Sequence, residues 1–338
     1  MTQTSAPIVF FGAGAIGCYV GAIWADAGCS ITLLGRQSLN SLRETGLSAS
    51  NGIKLAPVAF ATNPTLAHDP SILKSARLIV IAVKSTALPK VIADITSHSA
   101  PNTPILCLLN GIKPIRDLRA AFPNREIAAG MVPYNVVWAN SAALQRSSIG
   151  NTILERTPAT TELATSLKNA VEPVELSDTI NAVQHGKLLL NLNNSINALS
   201  GKTLFHQLRE RAYRRAYAAV LHEASTVLDH ANIAYAKSGP LSAAKIVKML
   251  RTPNWFFNTL VLPRQKLDPN SQTSMAQDLG AGKPTEIETL NGEICRIAQK
   301  FGITAPINTK LVDLIKQAEA NGKKHFSGPE LLRALGVS

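Results

Sequence analysis

Residues 8–17 read Ile-Val-Phe-Phe-Gly-Ala-Gly-Ala-Ile-Gly. A short apolar run that feeds Gly12-x-Gly14-x-x-Gly17 and then helix-forming sequence is the fingerprint of a dinucleotide-binding β-turn-α unit. Each glycine has its own task. Gly12 permits the tight turn off the strand, Gly14 leaves room for a pyrophosphate at the backbone, and Gly17 lets the helix pack closely. The free N–H groups of that helix start, on Ala13, Ala15, Ile16 and their neighbours, face the phosphates with the positive end of the dipole behind them. The competing reading is a strand-to-helix turn with no ligand.

The second apolar run, Ile31-Thr32-Leu33-Leu34, ends in Gly35-Arg36-Gln37. An acidic residue is usual there when the ribose 2′-hydroxyl is to be held. Arg36 stands in its place, and a guanidinium suits a 2′-phosphate through bidentate hydrogen bonds. The expectation is therefore NADPH/NADP+ rather than NADH, against a solvated loop arginine.

At 338 residues the chain exceeds one typical domain, and two are expected. No apolar run reaches the roughly 18 residues that span a bilayer, and the first residues lack the plan of a signal peptide. Cys18, Cys29, Cys107 and Cys295 are scattered with no metal-ligand spacing. They read as reduced thiols of a cytoplasmic protein with no metal site and no membrane partner. The net charge of +12 is uneven: residues 1–178 hold 14 Lys+Arg against 11 Asp+Glu, the rest 20 against 11. The stretch Arg209-Glu-Arg-Ala-Tyr-Arg-Arg-Ala-Tyr217 looks superficially suited to nucleic acid, but Glu210 interrupts it. A solvated helix face is the better reading, with no nucleic-acid partner. An anionic cofactor and substrate explain the positive field with fewer assumptions.

The first half alternates apolar runs (8–11, 30–34, 78–83, 105–109, 127–131) with helical segments at 15–27, 38–45, 86–96 and 114–121. Near-continuous hydrophobicity in those runs fits parallel strands covered on both faces. Short strands at 52–61, 150–154 and 173–176 are further candidates. From Thr179 the chain reads as helices at about 179–198, 205–232, 240–250, 274–281, 285–301 and 305–320. Residues 251–272, rich in proline and aromatics, read as an irregular loop, and the tail 322–338 as a partly ordered appendage. The fold class expected is α/β: an N-terminal Rossmann-type doubly wound sheet over 1–178 and a C-terminal all-helical domain over 179–338.

In that layout the substrate is expected in a cleft between the domains. Two strand ends carry polar groups, Lys84 after Leu78–Val83 and Asn110 after Ile105–Leu109. In the helical half, Lys187, Asn191 and Asn194 are spaced i, i+4 and i+7 and so share one helix face. Asparagine is a mediocre helix former, yet Asn191, Asn193, Asn194 and Asn197 crowd this segment. Such a stripe faces water or a ligand. Farther on, hydroxyls and carboxylates at 273–278 and 283–288 bracket a glycine-rich turn.

Taken in order, Gly-x-Gly-Ala-x-Gly, Val-Lys84, Leu-Asn110-Gly, Lys187-x3-Asn191, and Ser274-Met-x-Gln-Asp278 followed by Thr285-Glu286 resemble the ketopantoate reductase (2-dehydropantoate 2-reductase) family over roughly residues 7–320. The resemblance implies an NADPH-dependent reduction of a 2-oxo acid to a 2-hydroxy acid, ketopantoate to pantoate first, as in pantothenate biosynthesis. It implies that Gly12, Gly14 and Gly17 hold the pyrophosphate, that Arg36 and Lys84 contact the adenosine phosphate region, and that Asn110 lies near the nicotinamide ribose. It gives Lys187 as general acid, Glu286 as a catalytic and ribose-side carboxylate, and Asn191, Asn194, Ser195, Ser274 and Asn110 as substrate-side positions. A homodimer is the candidate assembly.

Hydride delivery to a ketone carbon builds charge on oxygen, which a nearby ammonium can stabilise and protonate. The bland alternatives are a solvated helix lysine and, for Glu286, a charge at a helix start after Pro284. Departures from the family pattern bear on the substrate. Ser195 stands where a second asparagine is common, Ala87 where a glutamine is common, and His185-Gly186 where an aromatic precedes the lysine. Two other readings are a reductase of another 2-oxo acid or an imine, of opine type, and a non-catalytic NADP-binding module.

Overall fold

The computed structural model describes residues 6–35, 48–50, 58–59, 64–146, 150–237, 241–265, 267–322 and 325–337. Arg36 and the helix expected at 38–45 lie outside the described residues. The chain divides into two compact units, Met1–Ile180 and Asn181–Ser338.

The first unit is built on strands β1 (Ile8–Phe11), β2 (Ile31–Leu34), β5 (Thr65–Ala67), β6 (Leu78–Ile81), β7 (Ile105–Cys107) and β8 (Ile127–Met131), which are mutually parallel. Their central residues Ile8, Val9, Phe10, Ile79, Val80 and Ile81 are wholly buried. Unbroken apolar runs, rather than alternating ones, are what a sheet covered on both faces requires. The order across the sheet is β12-β11-β8-β7-β6-β1-β2-β5, with β11 (Ile153–Glu155) antiparallel to β8 and β12 (Glu175–Ser177) parallel to β11. The chain leaves β1 toward β2 and β5, then returns to β6 and runs the other way. The switch point of this doubly wound sheet therefore lies between β1 and β6, where such folds bind ligands beyond the strand ends.

Helices α1 (Ala15–Asp26), α2 (Leu88–His98), α3 (Lys113–Ala121) and α4 (Pro158–Ser166) belong to the same unit. A smaller sheet, order β4-β3-β10-β9, joins β3 (Ser48–Ser50), β4 (Val58–Ala59), β9 (Val136–Trp138) and β10 (Ala143–Arg146). The β9–β10 hairpin falls outside the apolar strand candidates. It is held by its turn, where Asn140 Oδ1 accepts from the amides of Ala142 and Ala143 at 2.9 and 2.8 Å.

In the second unit, α5 (Ile180–Asn191) and α6 (Asn193–Ser200) replace the single helix expected over 179–198. Helix α7 (Leu204–Arg209) breaks from α8 (Arg211–His230) at Glu210, whose backbone is extended. Then follow α9 (Ala243–Leu250), α10 (Ser274–Gly280), α11 (Asn291–Lys300), α12 (Pro306–Asn321) and α13 (Gly328–Ala334). Helix α8 is the spine: Tyr213, Ala216, Val220, Leu221, Ala224 and Leu228 are buried along it.

Two expectations are corrected here. Residues 254–265 are not an irregular loop but consecutive helical turns, Asn254–Phe256, a π-turn over Phe257–Val261 and a 3-10 turn over Leu262–Gln265. Phe257 fixes them, buried beneath the Arg214 guanidinium at 4.2 Å. The chain end is not an appendage either. Ser327 and Glu330 form a capping box that starts α13. Leu331 is then wholly buried, Phe326 N–H bonds the Leu199 carbonyl, and the Tyr213 hydroxyl donates to the Phe326 carbonyl.

The basic stretch at 209–217 also resolves differently from a uniformly solvated face. Arg214 is fully buried and donates to the carbonyls of Leu208, Arg209, Leu250 and Thr252, and to Asn254 Oδ1. Three of those carbonyls close the last turns of α7 and α9, whose dipoles present negative ends to the cation. Burial lowers the Arg214 pKa to about 10, with the Arg211 charge adding to the effect. All four cysteines are free, and Cys18, Cys29 and Cys107 are buried.

Candidate active site

The glycine-rich turn leaves β1 at the switch point. Gly12 has φ +116°, and a Cβ there would lie 2.8 Å from the carbonyl carbon and oxygen of Ala82, just past β6. Only glycine fits that crossing. A Cβ on Gly17 would lie 2.0 Å from the Gly12 carbonyl oxygen. Gly17 thus allows close approach to the turn itself, with the Ala82 side chain next at 3.3 Å. Gly14 is different: a Cβ there would meet nothing within 4 Å, and the residue is exposed. It is the N-cap of α1, no side chain caps that helix, and no acidic residue stands in the first turn. Open space before uncapped amides of Ala15, Ile16 and Gly17 is the shape and charge an anionic phosphate needs.

Lys84 follows β6, exposed, as the N-cap of the 3-10 turn Ser85–Ala87. Asn110 follows β7, half-buried, before Gly111 with φ +83°. Gly12, Lys84 and Asn110 thus stand at the carboxyl ends of adjacent parallel strands. One further candidate at this edge escaped the sequence reading. His68, past the end of β5, holds its Nδ1 2.8 Å from the Gly35 carbonyl, directly after β2. No sequence signal links residues 33 apart on neighbouring strands.

In the second unit, Lys187, Asn191 and Asn194 are each half-buried, while Leu188, Leu189, Leu192 and Asn193 between them are buried. The stripe predicted from i, i+4, i+7 spacing is therefore less buried than these neighbours, although Leu190 on α5 is more exposed still. Burial lowers the Lys187 pKa to about 8, and the Glu286 carboxylate works in the opposite sense. Gly186, one residue earlier, permits a close crossing: a Cβ there would lie 2.5 Å from the Ala236 carbonyl oxygen. The crossing is pinned where the Ala236 N–H bonds the Ala182 carbonyl at 2.7 Å.

The asparagine cluster splits by role. Asn193 exchanges hydrogen bonds with Gln207, at 2.9 and 3.2 Å. Asn197, wholly buried, donates to the Lys202 carbonyl and accepts from both the amide and the hydroxyl of Thr273 at 3.1 Å. Thr273 is in turn the N-cap of α10, so Asn197 seats the helix whose first residue is Ser274. Ser274 itself is half-buried. Ser195 departs from expectation: it is wholly buried and its hydroxyl donates to the Leu192 carbonyl at 3.0 Å. Its helix position turns it into the packing of α6.

Glu286 is 8% exposed. The preceding Thr285 is fixed by its amide on Glu319 Oε1 at 2.7 Å, and its own hydroxyl accepts from the Ile287 amide. The Glu286 carbonyl receives the amide and hydroxyl of Thr289. Its side chain makes no capping hydrogen bond to the short turn that follows. Among the described residues no group of three or more His, Cys, Asp or Glu could hold a metal ion, and no helix is long and apolar enough to cross a membrane.

A doubly wound sheet with a glycine-rich turn at its switch point, followed by a helical unit bearing a lysine–asparagine stripe, defines a class: the nicotinamide-dependent oxidoreductases of two-unit plan. Residues 8–158 match the ketopantoate reductase PanE/ApbA family, and residues 179–319 match its C-terminal part. The chain belongs to this family. It is 25% identical over 327 residues to the 2-dehydropantoate 2-reductase of Halobacterium salinarum, covering 93% of this chain and 99% of that one. The solved PanE/ApbA family ketopantoate reductase from Ralstonia eutropha is 26% identical, with TM-score 0.79, covering 94% of this chain and 99% of that one. A D-mandelate dehydrogenase solved with NADH and anilino(oxo)acetate shares the fold, at 22% identity, TM-score 0.74, and 93% and 98% coverage.

Proposed function

We propose that this protein is an NADPH-dependent reductase of a 2-oxo acid, with 2-dehydropantoate the first substrate to test and Lys187 the general acid. The observation that carries the reading is the placement of Lys187 on one half-buried helix face with Asn191 and Asn194; burial lowers its pKa to about 8, against the field of Glu286. A general acid works best with a pKa close to the operating pH. Bound NADPH supplies the hydride that reduces the keto carbon. Lys187 stabilises the negative charge that builds on the keto oxygen and donates the proton that completes the 2-hydroxy acid. Asn191, Asn194 and Ser274 offer hydrogen bonds to the carboxylate and hydroxyl groups of such a substrate. The Glu286 carboxylate favours the protonated form of Lys187.

The first unit is suited to the cofactor on its own terms. The open space at Gly14 and the uncapped start of α1 favour a pyrophosphate. Arg36 and Lys84 are assigned to the adenosine phosphate, and Asn110 to the nicotinamide ribose. The buried serine at 195, where a second asparagine is common in the family, favours one second reading, reduction of a different 2-oxo acid. NADPH oxidation, followed by absorbance against a panel of 2-oxo acids with and without amines, tests both. Turnover of ketopantoate supports the first reading, turnover of another 2-oxo acid alone supports the second, and amine-dependent turnover contradicts both.

A further inference from the structure

Helix α8 begins Arg-Ala-Tyr-Arg-Arg, with no acidic residue in its first turn. Positive charge at the positive end of a helix dipole is unfavourable unless something answers it. For Arg214 the answer is the set of carbonyls described above. Arg211 has one carbonyl partner only, and among the described residues no carbonyl of that set answers Arg215. They share one face of α8 with Ala219, at i, i+4 and i+8. Together with Arg251 and Val337 they line a cavity of about 490 Å³. The Arg211 Nε donates to the Arg251 carbonyl at 3.3 Å, which fixes two sides of the cavity to each other. The N-cap residue Glu210 does not neutralise it, since that carboxylate pairs with Lys202 at 2.9 Å. Among the described residues, no carboxylate forms an ion pair with Arg211, Arg215 or Arg251.

The geometry points to a second anion site, in which the guanidinium groups of Arg211, Arg215 and Arg251 hold the phosphate or diphosphate of a small molecule. Guanidinium forks match phosphate oxygens bidentately, and three around one cavity suit a group carrying two or more charges. The volume is that of a small-molecule pocket, and the site is a half-open recess. Ala219 and Val337 provide an apolar wall for the rest of the ligand. None of the five lining residues is assigned to the reduction, so occupancy here leaves the proton donor and the glycine turn untouched. An anion would also relieve the repulsion between Arg211 and the buried Arg214.

Titration calorimetry and thermal unfolding with inorganic pyrophosphate test the site. The protein is saturated with NADP+, so that the glycine turn is already filled, and potassium chloride at equal ionic strength is the control. Arg215→Gln and Arg251→Gln are made singly, so that loss of fold in one leaves the other to report, and turnover at saturating substrate checks that each remains intact. The expected result is saturable binding to the unaltered protein, a raised unfolding midpoint, and at least tenfold weaker binding in either variant. Absence of saturable binding, an effect matched by potassium chloride, or undiminished binding in both variants would overturn the proposal. A chain group that already neutralises the arginines would show itself as the first of these.

Discussion

The Glu286 carboxylate raises the affinity of the Lys187 amine for its proton, while burial of that amine lowers it to a pKa of about 8. The two effects oppose each other at one amine of the helical unit, and their balance has a direct kinetic signature. A general acid must carry its proton, so kcat/KM falls as pH rises through the Lys187 pKa, near 8 in the free protein. Glu286→Gln removes the opposing field, the amine pKa drops further, and the alkaline limb moves to lower pH. A pH–rate profile of both proteins checks this; an unmoved limb would separate Glu286 from the proton donor.

The glycines make separable predictions. Gly17→Ala places a methyl group 2.0 Å from the Gly12 carbonyl, and overpacking of this kind costs about 1–3 kcal/mol of stability. Gly14→Ala meets open space at an ordinary extended backbone, with φ −82°. It leaves the unfolding midpoint nearly unchanged and weakens NADPH binding, because its methyl group occupies the space assigned to the pyrophosphate. Thermal unfolding paired with fluorescence titration of NADPH distinguishes the two variants.

Asn194 and Asn197 are one helical turn apart and predict opposite phenotypes. Asn197→Ala strips the Thr273 amide and hydroxyl of their acceptor and is expected to cost about 1–3 kcal/mol of stability. Asn194→Ala, at a half-buried position, leaves stability within about 0.5 kcal/mol and raises KM for the 2-oxo acid. Denaturant midpoints and steady-state kinetics on the same preparations check the pair.

Arg36→Ala is expected to lower the preference for NADPH over NADH at least tenfold, since it removes the bidentate partner assigned to the 2′-phosphate. The ratio of kcat/KM values for the two cofactors reads this directly. An unchanged ratio would move the selectivity elsewhere, with His68 at the end of the neighbouring strand the next position to test.

Much of this was legible in the chain itself, and the exceptions share a cause. The glycine turn and the parallel strands show through because tight turns and doubly covered strands leave contiguous signatures. The helical placement of Lys187, Asn191 and Asn194 is legible because helical period is local. Sequence could not separate Asn193 and Asn197 from their neighbours, because their partners Gln207 and Thr273 stand 14 and 76 residues away. Arg214 read as one basic residue among several, because backbone carbonyls, its main partners, have no sequence signature. Helix α13 is the opposite case. Its Ser327-x-x-Glu330 capping box stands in the sequence and starts a helix within the tail expected to be an appendage.

Lys187→Ala under steady-state turnover, with NADPH binding measured on the same protein, tests the proton donor most directly. Loss of a general acid lowers turnover by about 10²–10⁴-fold. The expected result is a fall in kcat of that size with NADPH affinity within about twofold of the unaltered protein, since the cofactor's phosphates are assigned to the other unit. Near-normal kcat in the alanine variant would remove Lys187 from the chemistry and with it the proposed mechanism.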